Sequence, residues 1–287
     1  MKSKKTATIF AVLAASLYAI NIPVSKLLLN YVDATMMASF LYLGAGIGLF
    51  IYGVLNKSKK VDRLTKKELP YTIAMVVLDI IAPILLMFGI TMTNSANVSL
   101  LNNFEIVATS IIALFIFKEV ISKRLWFSIV LVVVATIILS FESTSAFVFN
   151  KGSLLVLGAC ICWGFENNCT KMISNKSSVE IVTIKGIFSG LGSLVVALLI
   201  GEVIPSFMYM FLVLLLGFIS YGLSINFYIK AQSVIGAAKT SAYYSVAPFL
   251  GVLFSLILLG EVPGIQFYIA LFIMIISTII MIKDTFN

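Results

Sequence analysis

The chain contains no histidine. That removes the usual proton shuttle and the commonest transition-metal ligand. Charge is scarce as well: 11% of the 287 residues are Asp, Glu, Lys or Arg, against roughly 25% in a soluble globular protein. So few charges cannot clothe a water-facing surface, and a soluble fold is excluded. Cysteine is limited to Cys160, Cys162 and Cys169, all in one apolar run. Disulfides and metal sites need partners that converge from elsewhere, so these three read as helix packing. No G-x-x-x-x-G-K-[ST] loop occurs, which leaves no ATP motor in this chain. No cofactor and no catalytic set are expected. Strands alternating apolar and polar over about 10 residues are also missing, which excludes a membrane barrel.

What the chain does have is 61% hydrophobic residues, gathered in runs near the roughly 20 residues needed to cross the hydrocarbon core as a helix. Ten spans can be drawn: 6–28, 33–55, 71–92, 95–117, 123–141, 152–173, 178–200, 206–230, 237–259 and 264–283. The fold class is therefore an all-α polytopic membrane protein. Met1 to Lys5 and the apolar run after it have the layout of a secretory signal. That run continues past Asn21 to Leu29 and further spans follow, so it reads as an anchor.

The net charge of +8 sits in short loops, where it sets topology rather than binding nucleic acid. With the N-terminus in the cytoplasm, the inner side collects Lys2, Lys4 and Lys5, the stretch from Lys57 to Lys67, Lys118, Lys123, Arg124, Lys171, Lys176, Lys230, Lys239 and Lys283. The outer side keeps Lys26 and Lys151. This asymmetry puts both termini in the cytoplasm of a cell-membrane protein. The Lys57–Lys67 loop fixes orientation and is also placed to touch anionic lipid.

The two halves repeat one another. Ser99 to Glu119 and Ser241 to Glu261 both carry polar residues and end on an apolar run closed by Glu, 142 residues apart. Aligning Lys26 with Lys171 pairs Tyr18 with Trp163, Ala19 with Gly164 and Asn21 with Glu166. Span two carries Gly44, Gly46 and Gly48, and span seven carries Gly186, Gly190 and Gly192. The division is residues 1–145 and 146–287, five spans each. Five is odd, so the second copy enters the membrane from the opposite side. Such inverted repeats are the architecture of many secondary transporters.

On these residues the chain resembles the drug/metabolite transporter superfamily, in its EamA-like branch. The matching segments are A-x-x-x-W-G from Ala159 to Gly164 with Lys171 following, A-x-x-x-x-x-A-A from Ala231 to Ala238, and P-F-L-G-V-L-F-S-L-I-L-L-G-E from Pro248 to Glu261. The first repeat departs from the pattern: Ala19 replaces the usual Gly, Ile106 stands where Pro248 stands in the second copy, and Lys118 replaces Gly. The resemblance implies ten spans in two five-span repeats. It also implies a small metabolite as cargo, with amino-acid or related export the commonest assignment.

Four formal charges lie well inside spans: Asp79, Glu105, Glu166 and Lys185. Charges at such depth face a bundle interior or a wet cavity and mark a pathway. Asp79 is four residues before Pro83, on the same helical face, and the proline is expected to loosen the helix there. Asn102, Glu105 and Thr109 share one stripe. Glu105 and Asp79 are the candidates for proton coupling. Lys185 either snorkels to the surface or pairs with a carboxylate. Three acids against one base favour a cation or the amine end of a zwitterion. Tyr243 and Tyr244 occupy the repeat positions of Asn102 and Asn103, and with Trp163, Tyr18 and Tyr221 offer aromatic faces for a planar or ammonium group. The expected substrate site is Glu105, Asp79, Asn102, Glu166, Asn21, Tyr243, Tyr244 and Trp163. The expected function is a secondary-active or facilitative transporter of a small metabolite by alternating access. An importer of a vitamin or nucleobase-like compound is the alternative within transport. A scaffold or receptor without flux explains the repeat but not the buried charges.

Overall fold

The computed structural model describes residues 4–56, 63–116, 118, 122–143, 148–235, 240, 243–244, 246–260 and 263–286. The helices in chain order are α1 (Lys4–Ala19), α2 (Asn21–Leu28), α3 (Ala34–Leu55), α4 (Leu69–Met92), α5 (Ser95–Leu101), α6 (Phe104–Phe115) and α7 (Lys123–Ser140). The second half holds α8 (Lys151–Ile173), α9 (Ser178–Leu199), α10 (Phe207–Gly217), α11 (Ser224–Ile235), α12 (Ala247–Leu259) and α13 (Ile265–Phe286). The apolar runs thus fold as helices where they were expected, because only internally hydrogen-bonded segments can satisfy their backbone in lipid. Part of the 237–259 span lies outside the described residues, as do Glu119 and Glu261. Between the halves, β1 (Phe141–Ser143) and β2 (Val148–Phe149) pair antiparallel, a ribbon that no apolar pattern signalled.

Among the described residues, six stretches are long and apolar enough to cross a membrane: Lys4–Leu28, Ala34–Leu55, Lys66–Met92, Ser95–Phe115, Ser178–Leu199 and Phe207–Val234. Trp126–Ile138, Ala247–Leu259 and Ile265–Ile280 are shorter apolar helices. Helix α8, at 23 residues, is longer than several of these yet is not among them. Its second half reads E-N-N-C-T-K, and that polarity is explained by what it faces.

Several spans are interrupted near mid-length. Span one breaks at Ile20, between α1 and α2. Span four breaks at Asn102–Asn103, where the N–H of Glu105 bonds the carbonyl of Asn102 at 3.1 Å and the N–H of Ile106 bonds that of Asn103 at 3.1 Å. Span eight carries a π-helical turn at Phe218–Leu223. Tight and wide turns of this kind keep the backbone paired while it bends, and π-turns recur at functional sites. By contrast α4 runs unbroken through Pro83. Proline has no N–H to donate, so the Asp79 carbonyl lacks its i+4 partner there even though the helix continues.

The largest helix contacts are preserved when each element is exchanged for its counterpart in the other half. Helix α3 packs on α9 and α7 on α13, each span with its own counterpart. The α4–α8 contact has its counterpart in α1–α11. The α7–α13 contact is reciprocal at the atomic level: Ser128 Oγ donates to the Ser277 carbonyl at 3.2 Å, and Ser277 Oγ to the Ser128 carbonyl at 2.9 Å. Reciprocity of this sort is the mark of a two-fold relation. The α3–α9 contact depends on glycine. A Cβ on Gly186 would lie 2.3 Å from the Gly46 nitrogen, and one on Gly46 would lie 2.5 Å from the Ile187 nitrogen. The repeat also governs backbone where sequence has drifted. Gly260, which ends α12, has φ 61°, and Lys118 at the matching position of the first half has φ 57°.

Candidate functional site

Helix α8 presents Trp163, Glu166, Asn167 and Thr170 to the middle of the bundle. Gly164 makes this possible: a Cβ there would sit 2.8 Å from the Ala108 Cβ and 2.9 Å from the Thr109 nitrogen. With α6 that close, Asn168 Nδ2 donates to the Thr109 carbonyl at 3.1 Å and to its own Gly164 carbonyl at 2.9 Å. Asn167 Nδ2 donates to Glu105 Oε1 at 2.6 Å and to Thr109 Oγ1 at 3.3 Å. The tryptophan-glycine pair noted in the sequence is thus a packing device that delivers Glu105.

Lys185 does not snorkel. It is 4% exposed, and its Nζ lies 2.9 Å from Glu166 Oε1 and 3.0 Å from Asp79 Oδ2. Three helices, α4, α8 and α9, therefore meet on one ammonium. Tyr42 donates its hydroxyl to the other Asp79 oxygen at 2.7 Å, and Trp163 Nε1 lies 3.5 Å from the same hydroxyl. Thr170 Oγ1 donates to Glu166. Each ion in this cluster is paired and hydrogen-bonded, as burial demands. Glu105 stands apart. It is half-buried, its side chain accepts from the neutral Asn167 amide, and among the described residues it makes no salt bridge.

All of these groups except Asp79 line a partly open cavity of about 60 Å³. By the roughly 10–15 Å³ needed for one water, it holds several. Glu105, Glu166 and Lys185 supply charge to its wall. Tyr18, Tyr42, Trp163, Tyr221, Tyr228 and Tyr244 supply aromatic surface. The tyrosines are in serial contact, with centroid separations of 5.0 Å for Tyr42–Tyr221, 5.9 Å for Tyr221–Tyr18, 5.7 Å for Tyr18–Tyr244 and 5.1 Å for Tyr244–Tyr228.

Of the eight residues singled out in the sequence, Glu105, Glu166, Trp163 and Tyr244 line the cavity. Asp79 lies behind Lys185 and is fully buried. The two asparagines stand one layer back and hold tyrosines: Asn102 Nδ2 is 3.4 Å from the Tyr18 hydroxyl, and Asn21 Nδ2 is 3.4 Å from the Tyr221 hydroxyl. Tyr243 is half-buried and is not on the cavity wall. Sequence reasoning missed Tyr42, Thr170, Tyr228 and Gln232. Tyrosines and single amides in apolar runs carry no mark that separates lining from packing.

The cavity is displaced toward one end of the bundle. Thr170 and Gln232 lie within a turn of the C-terminal ends of α8 and α11. The opposite end is tied together. Lys26 Nζ donates to the carbonyls of Ile90 at 2.5 Å and Thr93 at 2.9 Å. The Glu202 carboxylate accepts from the N–H groups of Thr35 and Met36 at 3.0 and 2.6 Å, and Asp33 accepts from Val203 N–H at 3.2 Å.

The family model for EamA-like transporters matches this chain twice, over residues 5–141 and 150–283. The chain belongs to the EamA-like transporter family. The two matches are its two repeats, and the family is consistent with the drug/metabolite transporter superfamily. An uncharacterized transporter of Methanothermobacter thermautotrophicus is 24% identical over 282 residues, spanning 89% of this chain and 78% of that protein. A crystal structure of another protein superposes with a TM-score of 0.73 at 12% identity, covering 99% of this chain and 98% of that one. That likeness concerns the fold. Together with the apolar helices, the family makes this a multi-pass membrane transporter.

Proposed function

We propose that this EamA-like protein carries a small, amine-bearing metabolite of the amino-acid or related class outward across the cell membrane by alternating access. The observation that supports this most directly is the cavity between the halves. It joins a salt-bridged cluster, a separate carboxylate and six aromatic rings at the breaks of several helices. Charges that deep are costly, roughly 3 kcal/mol each on insertion scales, and are kept where they line a pathway.

The two repeats, residues 1–145 and 146–287, are inverted, and rocking one against the other moves the opening from side to side. The reciprocal helix pairing supports this. With the basic loops and both termini inside, the open ends of α8 and α11 face the cytoplasm, and the ties from Lys26, Asp33 and Glu202 close the outer face. The structure then corresponds to an inward-facing state, ready to load from the cytoplasm. Glu105 and Asp79 are the candidate proton sites should the flux be coupled. The aromatic wall also suits a planar ring, which keeps import of a vitamin or nucleobase-like compound as the second reading.

The test is a thermal-shift screen of the purified protein against a broad metabolite panel, since a bound ligand stabilises by mass action. Hits are then followed by counterflow in proteoliposomes. Amine-bearing metabolites are expected to stabilise the protein and to exchange. A panel in which nothing stabilises or moves would favour a scaffold without flux.

A further inference from the structure

The charge balance of the wall points to a narrower cargo. Among the described residues, Lys185 is the cation that lines the cavity, and it is already held by two carboxylates at 2.9 and 3.0 Å. A carboxylate arriving with a substrate would find no unshared cation among the described residues of the wall and would enter beside Glu105 and Glu166. An ammonium group finds the reverse. Glu105 reaches the cavity with its side chain bonded by a neutral amide, so it can take a cation without breaking an ion pair. With all four groups ionised the cluster carries three negative charges against one positive, and a monocation reduces that excess while a zwitterion leaves it unchanged.

The aromatic rings act in the same direction. Tyr18, Tyr244 and Tyr228 form a contiguous surface on the wall that also carries Glu105. Ring faces attract ammonium groups within about 6 Å of the centroid. They also accept a flat apolar body by stacking.

We propose that the cavity selects amines that lack a carboxylate, with Glu105 as the counter-ion and the tyrosine surface as the seat for the apolar body. The inference rests on the transport reading above and sharpens its substrate class: decarboxylated or carboxyl-blocked relatives of amino acids, rather than free amino acids.

Three probes with the same phenylethyl body separate the possibilities. Phenethylamine is a cation, phenylalanine a zwitterion and 3-phenylpropionate an anion. Calorimetric titration of the full-length protein in detergent is expected to give phenethylamine at least a tenfold tighter Kd than phenylalanine, with 3-phenylpropionate weakest. Glu105→Gln keeps an oxygen for Asn167 and is expected to erase the preference for the amine. Glu105→Asp is expected to restore part of it. A purely structural role for Glu105 would weaken all three probes alike. Phenylalanine binding as tightly as phenethylamine, 3-phenylpropionate binding best, none of the three binding, or a preference that survives Glu105→Gln would each overturn the assignment. The transport reading fails separately, only if no metabolite of the broad panel stabilises the protein or exchanges across proteoliposomes.

Discussion

Replacing Lys185 with Met tests the buried cluster at its centre. Methionine fills similar volume but removes the charge, which strands two carboxylates. At the observed 2.9 and 3.0 Å, and with an effective dielectric of about 20, each contact has a Coulomb attraction of roughly 5.5 kcal/mol. The two acids repel each other across Lys185 by about 3 kcal/mol on the same scale, if they are about 6 Å apart. The gross attraction is then about 8 kcal/mol, set against a desolvation cost of several kcal/mol for each ion. The net cost of removing one partner should therefore be about 3–5 kcal/mol. The assay is reversible unfolding in mixed micelles, read by tryptophan fluorescence. The reasoning also predicts a rescue. Lys185→Met combined with Asp79→Asn and Glu166→Gln leaves no unpaired ion and should recover most of the loss. A single variant that costs under about 1 kcal/mol, or a triple variant no more stable than the single, would refute the cluster as the organiser of α4, α8 and α9.

Other outcomes follow from packing and backbone. Gly186→Leu drives a branched side chain into the α3 backbone and should prevent stable folding, seen as loss of monodisperse protein in size-exclusion chromatography. Gly164→Ala is milder: the 2.8 and 2.9 Å approaches to α6 must widen, an overpacking cost of roughly 1–3 kcal/mol, and substrate affinity should fall because Glu105 moves with α6. Lys118→Gly removes a side chain from a left-handed residue and should raise stability by about 1 kcal/mol in denaturant titration. Asn102→Ala takes its amide partner from the Tyr18 hydroxyl and should weaken substrate binding several-fold, with a stability loss of about 1–3 kcal/mol in denaturant titration.

The helices were legible because a span declares itself by length and apolarity, and most boundaries fall within a few residues of the sequence reading. Asn102 and Asn103 stand out in the sequence only as polar residues within one span, and the break there comes from the structure; Pro83, expected to loosen α4, lies inside a continuous helix. The site was legible in depth but not in direction. Sequence places Asp79, Glu105, Glu166 and Lys185 inside the membrane, yet which acids share the lysine depends on how α4, α6, α8 and α9 rotate about their axes. That rotation is set by glycine contacts such as Gly46–Gly186 and Gly164–Ala108, which become informative only when both helices are seen. The same limit explains Asn21 and Asn102, which proved to be supports for Tyr221 and Tyr18, and Tyr42, whose bond to Asp79 joins residues of two different spans.

The central claim is that the buried acids exist to handle cargo between the two halves. Counterflow in proteoliposomes measures this directly, with wild-type protein compared with the Asp79→Asn, Glu105→Gln double variant. Exchange of the labelled amine is expected to disappear while the variant remains folded and monodisperse. Exchange at the wild-type rate in that variant would contradict the account.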